Sequence, residues 1–237
     1  MKNMESVKQR VYISPMAGKP LKDYLKRKGF EISYTKATDK VYQEISSHTD
    51  IYMCQIDLWE KSHIFSGDIS LLKEHYPGNI IYNALCTGSY FIHNLKYTST
   101  GLLEHIRRLY QDSPLIEVHV PQGYTRCTCL AVDDRSFITS DMGTAKALSA
   151  RGCDVLLIRP AHIRLPGFDY GFIGGTAGNL IVDGKKTIVF NGDISKHPDY
   201  KKIAAFIKDR CIDIMYFSEY PLEDIGSILI ESRGFTD

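Results

Sequence analysis

No apolar run in this chain approaches the roughly 18 to 20 residues that a membrane-spanning helix needs; even stretches such as DVLLI and NLIV stop after a few residues. A bilayer crossing is therefore not expected. The first ten residues, MKNMESVKQR, are polar and lack the apolar segment and small-residue cleavage site of a secretory signal, which predicts a cytoplasmic protein. Neither sign of charge prevails: 29 Lys and Arg stand against 28 Asp and Glu, for a formal net charge of +1. Without a large single-sign field, nucleic acid is not an expected partner. Cysteine is sparse. Its six copies (Cys54, Cys86, Cys127, Cys129, Cys153 and Cys211) are too few for a disulfide scaffold in 237 residues, so free thiols in a reducing compartment are expected. Paired Cys-x-x-Cys motifs, His-Glu-x-x-His, a Gly-x-Gly-x-x-Gly turn entering a helix and a Gly-Lys-Ser phosphate loop are all missing. No metal, cofactor or nucleotide is therefore expected, although Cys127 with Cys129, or His48 with Asp50 and Cys54, have side chains able to ligate.

What the chain does have is 43% apolar residues, enough for a core, and a near-repeat. Residues 64–70 read IFSGDIS and residues 189–195 read VFNGDIS. A third copy, FITSD, ends at Asp141, and each copy follows an apolar run ending in Asp: IYMCQID, CTCLAVDD and GNLIVDG. This spacing predicts a β-hairpin. After the hairpin come a helical pattern and a buried strand: MGTAKALSARG then CDVLLI, ISKHPDYKKIAAFIKDR then CIDIMYF, and a shorter ISLLKEHYPGN then IIY. The unit reads strand, strand, helix, strand. Two weaker copies follow the same plan, one around SYFIHNLKYTSTGLLEHIRRLYQDSPLIEVHV and one at the N-terminus around RVYISPMAGKPLKDYLKRKGFEISY. The N-terminal copy lacks its opening strand, which GSILI near the C-terminus would supply, closing a ring and protecting its edges.

Five such units resemble the pentein fold of the guanidine-group-modifying enzymes, a family that includes agmatine deiminase, arginine deiminase and dimethylarginine hydrolase. The resemblance spans about residues 11–230 and rests on pattern more than identity, as in a divergent branch. It implies an α/β fold, a pseudo-fivefold ring or α/β propeller, with residues 1–237 forming one domain whose C-terminal strand, about 226–231, completes the first repeat. It also implies a central cleft taking a small-molecule ligand, where a cysteine attacks a guanidinium carbon, a histidine acts as general acid and base, and carboxylates grip the guanidinium. SSHTDIYMCQID is similar to the family's histidine motif, with His48 and Asp50 in place and Ser47 where glycine is usual. GYTRC is similar to its cysteine motif, with Gly123 and Cys127 in place and Tyr124 and Arg126 where Asn and His are usual. IGGTAGNLIVDG carries the glycine pair Gly174 and Gly175, but no acid follows until Asp183, and the chain order of the motifs differs from the family's.

From the residues alone, a thiol becomes a nucleophile as thiolate, which a nearby cation favours; Arg126 flanks Cys127, though neighbours on a strand point to opposite faces. If Cys127 faces a cleft on a strand, so does Cys129, and which of them reacts stays open. Asp50 suits a planar guanidinium through charge-assisted pairing, and shares a strand face with His48 at period 2. The small residues of FIGGTAGN allow a backbone to approach a ligand closely, and the Pro- and Gly-rich RPAHIRLPGFDYG is the longest expected loop, where binding residues tend to sit. The expected catalytic set is Cys127, His48 and Asp50; the expected substrate contacts are Cys129, Arg126, Tyr124, Gly175, Thr176, Asn179, Asp224 and Ser227. Two functions fit: a cysteine-dependent hydrolase or transferase acting on a guanidine- or amidine-containing small molecule, or a ligand- or protein-binding ring that has lost the full catalytic set. In the structural alternative, His48 and Asp50 cap a strand and the cysteines are small core residues. The oligomeric state is left open.

Overall fold

A computed structural model describes residues 9–232. The chain is mixed α/β, and its strands form five small sheets. It opens with β1 (Gln9–Ile13), helix α1 (Lys19–Arg27) and β2 (Glu31–Tyr34), the two strands parallel as a helical crossover requires. A single helical turn, α2 (Thr49–Tyr52), then leads into β3 (Met53–Ile56), paired antiparallel with β4 (His63–Ser66). Next come β5 (Leu85–Cys86), antiparallel to β6 (Tyr90–His93), then α3 (Thr100–Leu109) and β7 (Ile116–His119), parallel to β6. A second one-turn helix, α4 (Thr125–Thr128), precedes β8 (Cys129–Ala131), β9 (Ser136–Thr139), α5 (Met142–Ser149) and β10 (Asp154–Leu157), with the same pairing. The order returns in β11 (Ala177–Val182), β12 (Lys185–Phe190), α6 (Tyr200–Lys208) and β13 (Asp213–Met215). Last, β14 (Leu229–Ser232) pairs antiparallel with β1, the N-terminal unit's missing strand.

Local chemistry explains the recurrence. Each of the four longer helices buries a pair at i and i+4: Leu21 and Leu25, Leu102 and Ile106, Thr144 and Leu148, Ile203 and Ile207. One narrow face thus seats each helix on its sheet. The duplicated GDIS is a capping device, since Asp68 accepts the Ser70 N–H at 2.9 Å and Asp193 the Ser195 N–H at 3.0 Å. Asp141 likewise accepts the Thr144 N–H at 2.6 Å and caps α5. The first copy departs from expectation. After Asp68 the chain makes only a 3₁₀ turn, Ile69–Leu71, and IIY forms no strand, leaving a two-stranded sheet. Pro77 follows closely and ends any helix.

Within the sheets, opening strands β3, β5, β8, β11 and β14 are almost wholly buried, whereas β2, β7, β10 and β13 are half exposed. Each complete sheet runs from interior to surface. The opening strands also touch one another across sheets: β14 lies against β11 and β3, and β3 against β5. The chain segments just ahead of these strands are thereby brought toward one place. No helix among the described residues is long and apolar enough to cross a membrane.

Because Ile230 is fully buried in β14 and packs in the same cluster as Val11, Leu21 and Leu25, Ile230→Ala is expected to lower stability by about 2 to 5 kcal/mol. Urea unfolding with an unchanged slope checks this; a midpoint matching the wild type would mean that β14 does not hold the N-terminal unit.

Candidate active site

Four of the five opening strands are entered through a tight turn whose side chains and backbone meet. His48 occupies the N-cap of α2 and Cys127 lies in α4, so neither sits on a strand as the sequence spacing suggests. The period-2 argument fails at both places. His48 and Asp50 are related by a helical turn. Cys127 and Cys129 part company: Cys127 lines a cavity, whereas Cys129 is in β8 within the main apolar cluster. Asp224–Ser227 crosses to the glycine pair, with the Ile225 and Ser227 N–H groups donating to the Gly175 carbonyl at 3.0 and 2.8 Å. The Asp50 N–H in turn donates to the Gly226 carbonyl at 3.2 Å.

Two glycines set how closely these turns approach. A Cβ on Gly175 would fall 1.9 Å from the Asp224 carboxylate. One on Gly226, which also has φ +73°, would fall 2.2 Å from the His48 Cβ. Any larger side chain at either place drives His48 and Asp224 apart. Ser227, at φ +69°, holds a left-handed conformation unusual for a non-glycine residue; its hydroxyl thereby donates to Asp50 Oδ2 at 2.6 Å.

At the centre, the Cys127 thiol donates to the same Asp50 Oδ2 at 3.0 Å, and Asp50 Oδ1 is buried without a hydrogen-bond partner among the described residues. His48 Nδ1 stands 3.9 Å from Asp224 Oδ1. The Cys127 sulfur, a ring nitrogen of His48 and a carboxylate oxygen of Asp224 all lie within 4.8 Å of one another. These three residues stand at the foot of a cavity of about 590 Å³, walled chiefly by Tyr76, Tyr124, Phe168, Tyr170 and Phe172. A second space of about 570 Å³ reaches His48 and Asp224 from the side of Ser47 and Gly167.

Burial governs the electrostatics. It pushes the His48 imidazole down to about 4, against the pull of the Asp50 charge, so the ring is neutral at physiological pH. It pushes the Asp224 carboxyl up to about 6, while N–H groups of Gly226 and Phe172, at 3.0 and 2.9 Å, work in the other direction. Asp50 is raised by burial and by the neighbouring Asp224 charge. The Cys127 thiol is raised well above its ordinary value by burial first and the Asp50 and Asp224 charges next. At rest the sulfur is a thiol.

The other expected contacts divide. Tyr124 lines the cavity and Ser227 holds Asp50. Arg126 is buried and turned away, its guanidinium donating to the Gly174 and Ala177 carbonyls at 3.3 and 3.4 Å. Thr176 Oγ1 donates to the Ile173 carbonyl at 2.7 Å and Asn179 Nδ2 to the Ala131 carbonyl at 2.9 Å. Both bonds hold backbone, none of Cys129, Arg126, Thr176 and Asn179 lines the cavity, and Gly175 serves by making room. Asn83 is the residue missed by the sequence reading. Its Oδ1 accepts the Arg126 N–H at 2.9 Å and caps α4, while its Nδ2 donates to Cys127 Sγ at 3.4 Å. It stands two residues ahead of β5, the position that Cys127 holds ahead of β8 and Ser227 ahead of β14. The RPAHIRLPGFDYG loop supplies Leu165, Phe168, Asp169 and Tyr170 to the wall.

Residues 12–229 match the model of a family of unknown function, DUF6873, and the chain belongs to that family. No curated protein matches it.

Since Cys211 is exposed and Cys127 is a buried, protonated thiol, iodoacetamide at pH 7 is expected to label Cys211 first, contrary to a reading in which Cys127 is the most reactive thiol at rest. Asp50→Asn removes a charge that opposes the thiolate and should accelerate labelling of Cys127 relative to Cys211. Peptide mapping checks both rates; equal labelling of Cys127 and Cys211 in the wild type contradicts the assigned environment.

Proposed function

We propose that the protein is a cysteine-dependent hydrolase, or transferase, acting on a cationic small molecule that carries a guanidine or amidine group. The observation that carries this reading is the meeting of thiol, imidazole and carboxylate within 4.8 Å at the foot of a cavity. The nucleophile is Cys127 rather than Cys129, and Asp224 takes the part of the second carboxylate that the GGTAGN stretch lacks. The strand-strand-helix-strand order, the C-terminal strand completing the first unit and the mutual contact of the opening strands support a pseudo-fivefold, pentein-like ring formed by one domain. Six free cysteines suit a reducing, cytoplasmic setting.

The substrate is positively charged. Asp141, Asp169 and Asp224 are among the residues lining the cavity, and among the described residues no Lys or Arg lines it. A guanidinium donates to the Asp224 carboxylate and its charge offsets that of Asp50, lowering the cost of ionising Cys127. The thiol proton passes to the neutral His48 as the sulfur attacks the central carbon and an S–C bond forms. His48 returns the proton to the departing nitrogen as its C–N bond breaks, and the amine leaves. Water, deprotonated by His48, then attacks the carbon; the C–S bond breaks and the thiol is restored. An amine in place of water makes the reaction a transfer. One observation favours the binding-only reading, namely that the resting thiol is held protonated by Asp50. Turnover separates the two.

Release of ammonia or amine from alkylguanidines is the assay. Cys127→Ser is expected to abolish it with little change in melting temperature, and His48→Ala to slow it by about a hundred- to ten-thousandfold. Arginine, whose carboxylate meets no cation in the cavity, is expected to be poorer than a carboxylate-free alkylguanidine. Because Asp224 holds a cation only when ionised and its value is raised to about 6, kcat/KM is expected to fall about tenfold per pH unit below that point. Turnover that survives Cys127→Ser, or no turnover of any guanidine or amidine, overturns the hydrolase.

A further inference from the structure

The same three residues have a property that the reaction does not use. Cys, His and Asp are, respectively, a soft, a borderline and a hard donor, and a set that mixes them suits zinc rather than magnesium or calcium, which take oxygen ligands. In a four-coordinate site with bonds of about 2.0 to 2.3 Å, ligand atoms stand roughly 3.3 to 3.7 Å apart. The atoms here all lie within 4.8 Å of one another, and His48 Nδ1 is 3.9 Å from Asp224 Oδ1, so side-chain rotations of about an ångström complete the set. Among the described residues, no hydrogen bond of the His48 ring would have to break first. Asp224 is already fixed by two backbone N–H groups and Cys127 by Asn83, the kind of outer support that orients metal ligands. All three residues line the cavity, from which a fourth ligand can enter.

We propose that Cys127, His48 and Asp224 form a zinc site, and that zinc held there competes with the cationic substrate for the same thiolate and carboxylate. Binding breaks the Cys127 S–H bond, forms an S–Zn bond and releases one proton to solvent. Sharing a sulfur electron pair with zinc lowers the nucleophilicity of Cys127, and an Asp224 carboxylate bound to zinc is no longer available to a guanidinium. The metal thus switches the site off. The competition rests on the hydrolase reading; the metal site stands independently of it.

The test uses the full chain with Cys211→Ser, which removes the exposed thiol. Calorimetry with zinc is expected to give one metal per chain, and cobalt in its place a sulfur-to-cobalt charge-transfer band. Cys127→Ser should remove that band, and Asp224→Asn should weaken zinc binding at least about tenfold. Saturating guanidinium should weaken the apparent zinc affinity. No stoichiometric binding, or a charge-transfer band that persists in Cys127→Ser, overturns the metal site, whether or not guanidines are turned over. Zinc binding indifferent to guanidinium overturns the competition. If Cys127→Ser does not fold by circular dichroism, protection decides: zinc should block alkylation of Cys127 at alkaline pH in the Cys211→Ser chain, and undiminished labelling with zinc bound overturns the site.

Discussion

Two carboxyl groups, Asp50 and Asp224, are buried side by side, and neither forms an ion pair with a Lys or Arg among the described residues. Burying a carboxylate without a counter-ion is costly, and proteins reduce that cost with hydrogen bonds or by raising the pKa. Both routes are used here. Ser227 and Cys127 donate to Asp50, backbone N–H groups of Gly226 and Phe172 donate to Asp224, and both carboxyls titrate higher than usual. The buried Arg126 guanidinium offsets part of this charge, and in the proposed function a cationic ligand offsets the rest. The same carboxyls hold Cys127 as a thiol, and in the proposed function the ligand relieves that hold. On that proposal, selectivity for charge and activation of the nucleophile are one effect.

The fold supports this arrangement through small structural exceptions at the starts of its opening strands. α2, α4, the Gly174–Thr176 turn and the left-handed pair Gly226 and Ser227 each bend the chain just before a buried strand. Buried strands fix where these turns stand, and the glycines at 175 and 226 let them touch. Asn83 joins two of the turns, reading the backbone of α4 and the sulfur of Cys127 with one side chain. Rigidity of this kind suits a site whose groups must stay within a few ångströms of one another.

Much of this was legible in the sequence, and for identifiable reasons. Duplicated Asp caps and i, i+4 apolar pairs are local patterns, so the repeated unit and its helices could be read from spacing. The shortened unit after Asp68 could not, because ISLLKEHY is helical by composition while Pro77 and the neighbouring packing leave it a turn. His48, Asp50, Cys127, Asp224 and Ser227 were identifiable as candidates, yet their geometry was misjudged. A strand register was assumed where one helical turn intervenes, and this put Cys129 on the wrong side. Arg126, Thr176 and Asn179 are polar residues in the right segments whose hydrogen bonds go to backbone carbonyls. No sequence pattern distinguishes such a bond from a ligand contact. Asp224 as the partner of His48 depends on contact across 176 positions in the chain, which only the packing of the folded chain reveals.

The central proposal is that the buried carboxyls of Asp50 and Asp224, only partly offset by Arg126, reserve Cys127 for a cationic ligand. It is tested most directly by alkylating the folded protein with chloroacetamidine, which is cationic, and with chloroacetamide, its neutral counterpart with the same leaving group. Exposed Cys211 supplies the intrinsic reactivity ratio of the two reagents. Cys127 is expected to favour the cation over that ratio by about tenfold or more, equivalent to about 1.4 kcal/mol, and to lose the preference in Asp224→Asn. An equal preference at Cys127 and Cys211 would contradict the account.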